Sequence, residues 1–302
     1  MILSPQQQSV LNELIPIARI ATNGVRADSP FPFRTHSLII GPSGGGKSFL
    51  AASLSISIGL PILIINVSSW VVLSARNEPW TFSSICQWLD SSPKGGIIVL
   101  DELDKITNGD WGITARLEVM SLLDLVIPLA TKLPVDKDNI LSWDLPAPDP
   151  PITIAREVLE KCLRERVFIV GCGAWQHEWR SNSRQIGFPM KQTTIAPPSR
   201  EQLLHSMEPE LLQRFRNKIC WLPPMGHADY QTVSDSIERS ILNPEVRGAW
   251  DSLADAAIED AVANGLGMRV FEELMLTALL QTQRSREAMD TPTTPLNPEY
   301  NR

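Results

Sequence analysis

Gly41 to Ser48 reads GPSGGGKS, with the apolar run Ser37-Leu38-Ile39-Ile40 before it and Phe49-Leu50-Ala51-Ala52 after it. The spacing fits G-x-x-x-x-G-K-[ST] between a strand and a helix, where the backbone N–H groups of a glycine-rich turn converge on phosphate oxygens. Glycines at 41, 44, 45 and 46 let the backbone take positive φ and turn those groups inward; the helix N-terminus behind them adds about half a positive charge. On this reading Gly41, Pro42, Ser43, Gly44, Gly45, Gly46 and Phe49 cradle ATP. Lys47 reaches its β- and γ-phosphates, and the Ser48 hydroxyl ligates Mg²⁺. The competing reading is a glycine-rich turn that binds nothing.

A phosphate loop binds nucleotide without specifying chemistry, so a second element must supply the metal and the water. Gly96-Ile97-Ile98-Val99-Leu100 is a continuous apolar run of the kind that forms a central parallel strand, and it ends in Asp101-Glu102. Placed beside the first strand, Asp101 would hold the Mg²⁺ shell and Glu102 would orient or deprotonate the attacking water.

Bulk properties bound what else the chain does. It has 302 residues, a formal net charge of −7 and a pI near 5.2. The length suffices for one large or two modest domains, and the charge gives no overall basic footprint for nonspecific nucleic-acid binding. Cys86, Cys162, Cys172 and Cys220 are scattered with no C-x-x-C pair, the pattern of reduced thiols in a cytoplasmic protein. No stretch approaches 18 uninterrupted apolar residues and the N-terminus lacks a secretory pattern, so membrane insertion and export are not expected.

The elements that must position these residues follow from periodicity. Helical spacing runs from Ser4 to about Ala21, and the helix after the phosphate loop should stop near Gly59 with Pro61 beyond. Ile62 to Ile65 reads as a strand, residues 66–80 as polar and aromatic by turns, and Thr81 to Leu89 as a short helix. Arg116 to Ala130 and Ile154 to Arg164 read as helices, and Val167 to Val170 as another apolar strand, ending at Gly171-Cys172-Gly173. The proline-rich residues 134–151 cannot form a regular element. Strand–helix alternation points to an α/β fold with a parallel sheet wrapped by helices over residues 1–225. Beyond Met225 strands cease: residues 226–283 read as a small all-α lid, and 284–302 as a disordered tail.

In motif order and spacing over roughly residues 4 to 280, the chain resembles the AAA+ ATPases, and within them the ClpX-like unfoldases most. Ser4-Pro5-Gln6-Gln7-Gln8 sits where that clade has its nucleotide-proximal N-terminal helix; GPSGGGKS and IIVLDELDK look like its Walker A and Walker B; VFIVGCGAW (Val167 to Trp175) is similar to its sensor-1 strand. EPELLQRF (Glu208 to Phe215) resembles the segment bearing its arginine finger, and Asn264 to Arg269 its sensor-2 motif. The resemblance implies a P-loop NTPase fold with a helical lid, ATP and Mg²⁺ as ligands, and a homo-oligomer, most simply a hexamer. It also implies that Arg214 reaches the γ-phosphate on a neighbouring copy, with Arg216 a close competitor, and that Arg269 acts in cis from the lid.

Departures from the family pattern are specific. The sensor-1 strand ends in Gly171-Cys172-Gly173 where an Asn, Thr or Ser is usual, and a thiol is a weak donor, so that role stays open. Only Trp80 supplies an aromatic near the pore-loop position, and Ile186-Gly187-Phe188 falls in the region where ClpX-like rings dock a protease. With 36 residues before Ser37, the family's zinc-binding N-terminal domain is not expected. Two functions follow: an oligomeric ATPase that remodels or moves a protein client, or an ATP-dependent switch that assembles on nucleic acid and recruits an effector. A nucleotide-binding scaffold with little turnover is a third, against which Glu102 argues.

Overall fold

The computed structural model describes residues 2–30, 33–75, 80–106, 112–128, 150–176, 178, 197–216 and 218–290. Chain contacts divide them into two compact units, Leu3–Pro224 and a second from Met225 onward. The first is built on five parallel strands, β1 (Ser37–Ile40), β2 (Ile62–Asn66), β3 (Gly96–Asp101), β4 (Val167–Gly173) and β5 (Lys218–Trp221), in the order β2-β3-β4-β1-β5. This is the α/β fold of a P-loop NTPase: a parallel sheet flanked by helices, followed by a helical C-terminal part.

Alternation along each strand sends side chains to two separate cores. From β1, Leu38 and Ile40 join a core with α3 (Val67–Ala75), α4 (Trp80–Ser91) and α5 (Ile113–Leu123). Ile39 joins the opposite one with α1 (Pro5–Thr22) and α2 (Lys47–Ile58). Burial on both faces is why β1, β3 and β4 read as unbroken apolar runs. At about 1.5–3 kcal/mol per fully buried Ile or Leu, these strands anchor the loops at their C-terminal ends.

The sequence reading departs from the structure in several places. β4 lies between β1 and β3, so the acid-tipped strand is not beside the first strand; strands two places apart are separated by about 9.6 Å. β5 was not expected, because KICW is an edge strand with one fully buried residue and carries no apolar run. Residues 66–80 contain the helix α3, whose first turn follows β2 without a breaker. The helix read over 116–130 runs Ile113–Leu123 and stops because Leu125 takes positive φ (61°), with the Val126 N–H donating to the Ser121 carbonyl, which closes the end.

Further along, α6 (Pro150–Arg166) is followed by β4, and α7 (Arg200–Ser206) and α8 (Pro209–Arg214) precede β5. The second unit packs α9 (His227–Ser240), α10 (Pro244–Asn264) and α11 (Arg269–Asp290) around Tyr230, Trp250 and Phe271, so helix continues past the boundary read at 284. Residues 291–302, most of the proline-rich 134–151 stretch, and Ile186-Gly187-Phe188 lie outside the described residues, as does the side chain of Trp80. Among the described residues no helix is long and apolar enough to cross a membrane.

One buried group sets a pH limit on the first unit. His36, just before β1, is fully buried against the Phe215 ring, and its Nε2 lies 2.7 Å from the Leu123 carbonyl, which accepts its proton. Burial pushes its pKa down to about 4; the Leu123 contact opposes that, Arg26 and Arg34 reinforce it, and Asp124 opposes it. A histidine that charges in the unfolded chain but not in the fold costs stability as pH falls from about 6.5 toward 4. About 2 kcal/mol should therefore be lost by pH 5. The urea midpoint of His36→Gln should vary less between pH 6.5 and 5 than that of the parent, and an equal slope would refute the assignment.

Candidate functional site

The phosphate loop is held from three sides. Gly44 and Gly46 take positive φ, 78° and 76°, as a loop with inward N–H groups demands. Gly41 and Gly45 do not. Gly41 is glycine for another reason: a Cβ there would stand 2.6 Å from the Leu222 carbonyl, beside the Leu222 N–H to Ile40 carbonyl bond that extends β5. From the third side comes Gln7. Its Oε1 accepts from the Ser4 N–H to cap α1, and its Nε2 donates to the Gly45 carbonyl at 3.0 Å.

Lys47 and Ser48 open α2. The Lys47 ammonium, almost wholly buried, donates to the carbonyls of Gly41 and Pro42 at 2.8 Å each, so its charge lies within the loop's concavity. Ser48 Oγ donates to Asp101 Oδ2 at 2.6 Å, and Asp101 Oδ1 accepts from the Glu102 N–H at 3.0 Å. The loop and the acid-tipped strand thus meet although β4 intervenes. Pro42, Gly44 and Gly46 are half-buried, Gly45 is buried, and Ser43 and Phe49 are exposed.

Glu102 is one of the few non-glycine residues here with positive φ, 57°. Its carboxylate meets the end of β2 and the start of α3, where Ser68 Oγ (2.6 Å) and Asn66 Nδ2 (3.1 Å) donate to one oxygen. These bonds, Ser68 first, then Asn66, lower the Glu102 pKa, against a small opposing effect of burial. Neither partner was picked out from sequence. The signal for Asn66 was present, an amide closing the buried run ILII in register with Asp101.

The sensor-1 position offers no polar donor from the strand itself. Cys172 is fully buried opposite Ile39, and burial, then the charge of Asp101, raise its thiol far above the usual range, so it stays protonated. Beyond the strand, the Ala174 N–H donates to Asp104 Oδ1 at 3.0 Å.

Arg214 stands just before β5, the strand beside β1, at the N-terminal ends of the strands. Its Nε and Nη2 form a fork on Asp124, 3.0 Å to Oδ1 and 2.6 Å to Oδ2, and Nη1 donates to the Glu210 carbonyl at 2.9 Å. Arg34, three residues before β1, reaches the same Asp124 Oδ1 at 2.7 Å. Burial would raise the Asp124 carboxyl; the hydrogen bond and charge of Arg214, then those of Arg34, outweigh it, and the net shift is downward. Arg34 precedes the N-terminal end of β1, whereas Gly41 follows its C-terminal end, about 13 Å farther along a four-residue strand. The structure therefore does not bring Arg214 to the phosphate loop of its own chain.

Around this pair opens a cleft of about 670 Å³ that Arg26, Arg164 and Arg216 also line, with Glu165 and Asp124 as its acids. Its charged lining sums to +3 in a chain of −7. Arg269 belongs to the second unit, where it is exposed as the first residue of α11. The turn before it is fixed by positive φ at Gly265 and Gly267 and by the Gly267 N–H donating to the Tyr230 hydroxyl at 2.9 Å.

Residues 37–127 match the family model described as the ATPase family associated with various cellular activities (AAA). The matched segment runs from β1 to just past α5, so it holds the phosphate loop, Asp101 and Glu102 and stops short of Arg214 and Arg269. No curated protein matches the chain.

Proposed function

We propose that the chain is an ATP hydrolase of the AAA type, completed between copies of itself and used to remodel or move a protein partner. The observation that carries this is the separation of two charge systems on one sheet. Lys47, Ser48, Asp101 and Glu102 gather at the C-terminal ends of the strands, and Arg214 with Arg34 before the N-terminal ends of β5 and β1. A unit that offers cations at one end of its strands and takes phosphate at the other is complementary head to tail, and such contacts close into rings when the rotation allows. The ClpX-like order of motifs favours six copies.

Within one copy the roles follow from position. The loop N–H groups and Lys47 bind the β- and γ-phosphates. Ser48 and Asp101 fit Mg²⁺, being hard oxygen donors within hydrogen-bond distance of each other, and a magnesium ion against substrate phosphates needs only one or two protein ligands. When bound, the ion neutralises charge on the β- and γ-oxygens. Glu102 accepts the proton of the attacking water after leaving Ser68 and Asn66. Arg269 acts from the lid; a cation in the first turn of a helix sits at the unfavourable end of the dipole, about 0.3–1 kcal/mol, and an anionic ligand would compensate.

The arginine-lined cleft favours a second reading, an ATP-dependent switch on nucleic acid. The two part in one assay series: particle mass with and without a slowly hydrolysed ATP analogue, then ATPase rate alone, with DNA, with RNA and with an unfolded protein. The proposal expects particles that are multiples of 33.5 kDa with the analogue and stimulation by the unfolded protein. Stimulation by nucleic acid alone would hand the function to the second reading.

A further inference from the structure

Arg214 carries five N–H donors, and the described structure uses three of them, two on Asp124 and one on the Glu210 carbonyl. The remaining two project from a guanidinium whose plane is already fixed at both ends. Asp124 Oδ1 is shared with Arg34, whose side chain is about half exposed (48%), so one carboxylate holds two guanidinium groups side by side. With five arginines against Asp124 and Glu165 in its lining, the cleft keeps a net positive charge. Arg26 in the same lining, only 8% exposed, spends Nη2 on three backbone carbonyls and has no hydrogen-bond partner for Nε or Nη1 among the described residues. A cleft so lined is built for an anion carrying more charge than a carboxylate.

We infer that Arg34 is a second guanidinium presented with Arg214 to the triphosphate on a second copy, and that Asp124 is the positioning residue that holds the two together. This rests on the reading of Arg214 as a cation supplied between copies. The occupant is a nucleotide on another copy because Arg34 and Arg214 lie before the N-terminal ends of β1 and β5, where head-to-tail association would bring the next loop, and away from the chain's own phosphate loop at the C-terminal end of β1. Arg34 enters from the segment before β1 and Arg214 from the end of α8. The sequence therefore gives no hint of the pairing, which only the fold creates.

The test uses full-length Arg34→Ala, Arg34→Lys and Asp124→Asn. Arg34 is half exposed and Asp124→Asn is nearly isosteric, so all three should fold, and fluorescent-nucleotide affinity checks the cis site. Each variant should bind nucleotide as the parent does. Arg34→Ala and Asp124→Asn should lose kcat about tenfold or more, the value of a charge-assisted contact, with Arg34→Lys recovering part of the loss. Mixing either with Lys47→Ala subunits should restore turnover, because the defect lies on the face offered to the neighbour; a packing defect would stay with its own subunit. Unchanged kcat in Arg34→Ala, or a loss that mixing does not rescue while Arg214→Ala is rescued, overturns this inference alone. If Arg214→Ala is not rescued either, the action between copies fails with it. Loss of oligonucleotide binding in Arg34→Ala with turnover intact would make nucleic acid the occupant and overturn the assignment.

Discussion

Glu102→Gln should bind ATP with parental affinity and turn it over about 10²–10⁴ times more slowly, the usual contribution of a positioned general base. The amide keeps the size of the carboxylate and can still meet Ser68 Oγ and Asn66 Nδ2 through its oxygen. The backbone turn at φ 57° does not depend on the charge. What the change removes is the ability to take a proton from water. Because Ser48 and Asp101 remain bonded to each other at 2.6 Å, metal and nucleotide binding should be untouched. Single-turnover hydrolysis with radiolabelled ATP, alongside equilibrium binding, separates the two effects. Parental turnover would take Glu102 out of the catalytic role and favour a scaffold that binds nucleotide without hydrolysing it.

The same residue shows where sequence reading stops. Asp101-Glu102 at the end of an apolar run gave the identity of the acids, since a strand buried on both faces has nowhere to put charge except at its tip. Their order in the sheet was not legible. Strand order depends on which helices cross over which face, so nothing in Gly96 to Asp101 says that β4 separates it from β1. The phosphate loop was legible residue by residue, but the reason for each glycine was not. Gly44 and Gly46 answer to φ, and Gly41 answers to Leu222, a residue 181 positions later.

Polar partners were the least accessible. Ser68, Asn66, Asp124 and Arg34 belong to no local pattern, and their roles come from hydrogen bonds spanning 34, 36, 90 and 90 residues respectively. Helix ends failed for a related reason. Leu125 terminates α5 with a conformation that glycine usually takes, so no breaker marks the stop. It is held by burial of Leu125 and Ile127 in the core shared with Leu122 and Leu123, a tertiary cause.

Arg214→Ala should reduce kcat by about 10³-fold or more, the range known for a guanidinium supplied to a transferring phosphoryl group, while leaving nucleotide affinity nearly unchanged. The guanidinium disperses charge on the equatorial oxygens only as they develop it, so its loss weighs on the transition state and little on the bound substrate. A different cause would give a different signature. If Arg214 served only to hold Asp124, Arg214→Ala would leave kcat near the parental value; Arg34 remains within 2.7 Å of that acid, so stability should change little in either case. Mixing then decides where the cation acts. Arg214→Ala homo-oligomers lack it at every interface, and Lys47→Ala homo-oligomers lack a working phosphate loop in every copy. In a random equal mixture about a quarter of head-to-tail interfaces join an intact loop to an intact arginine, so turnover should peak near equal proportions at roughly that fraction of the parental rate. Two variants that act within their own copies would stay inactive at every ratio. Flat, absent activity across the titration would end the case for catalysis between copies.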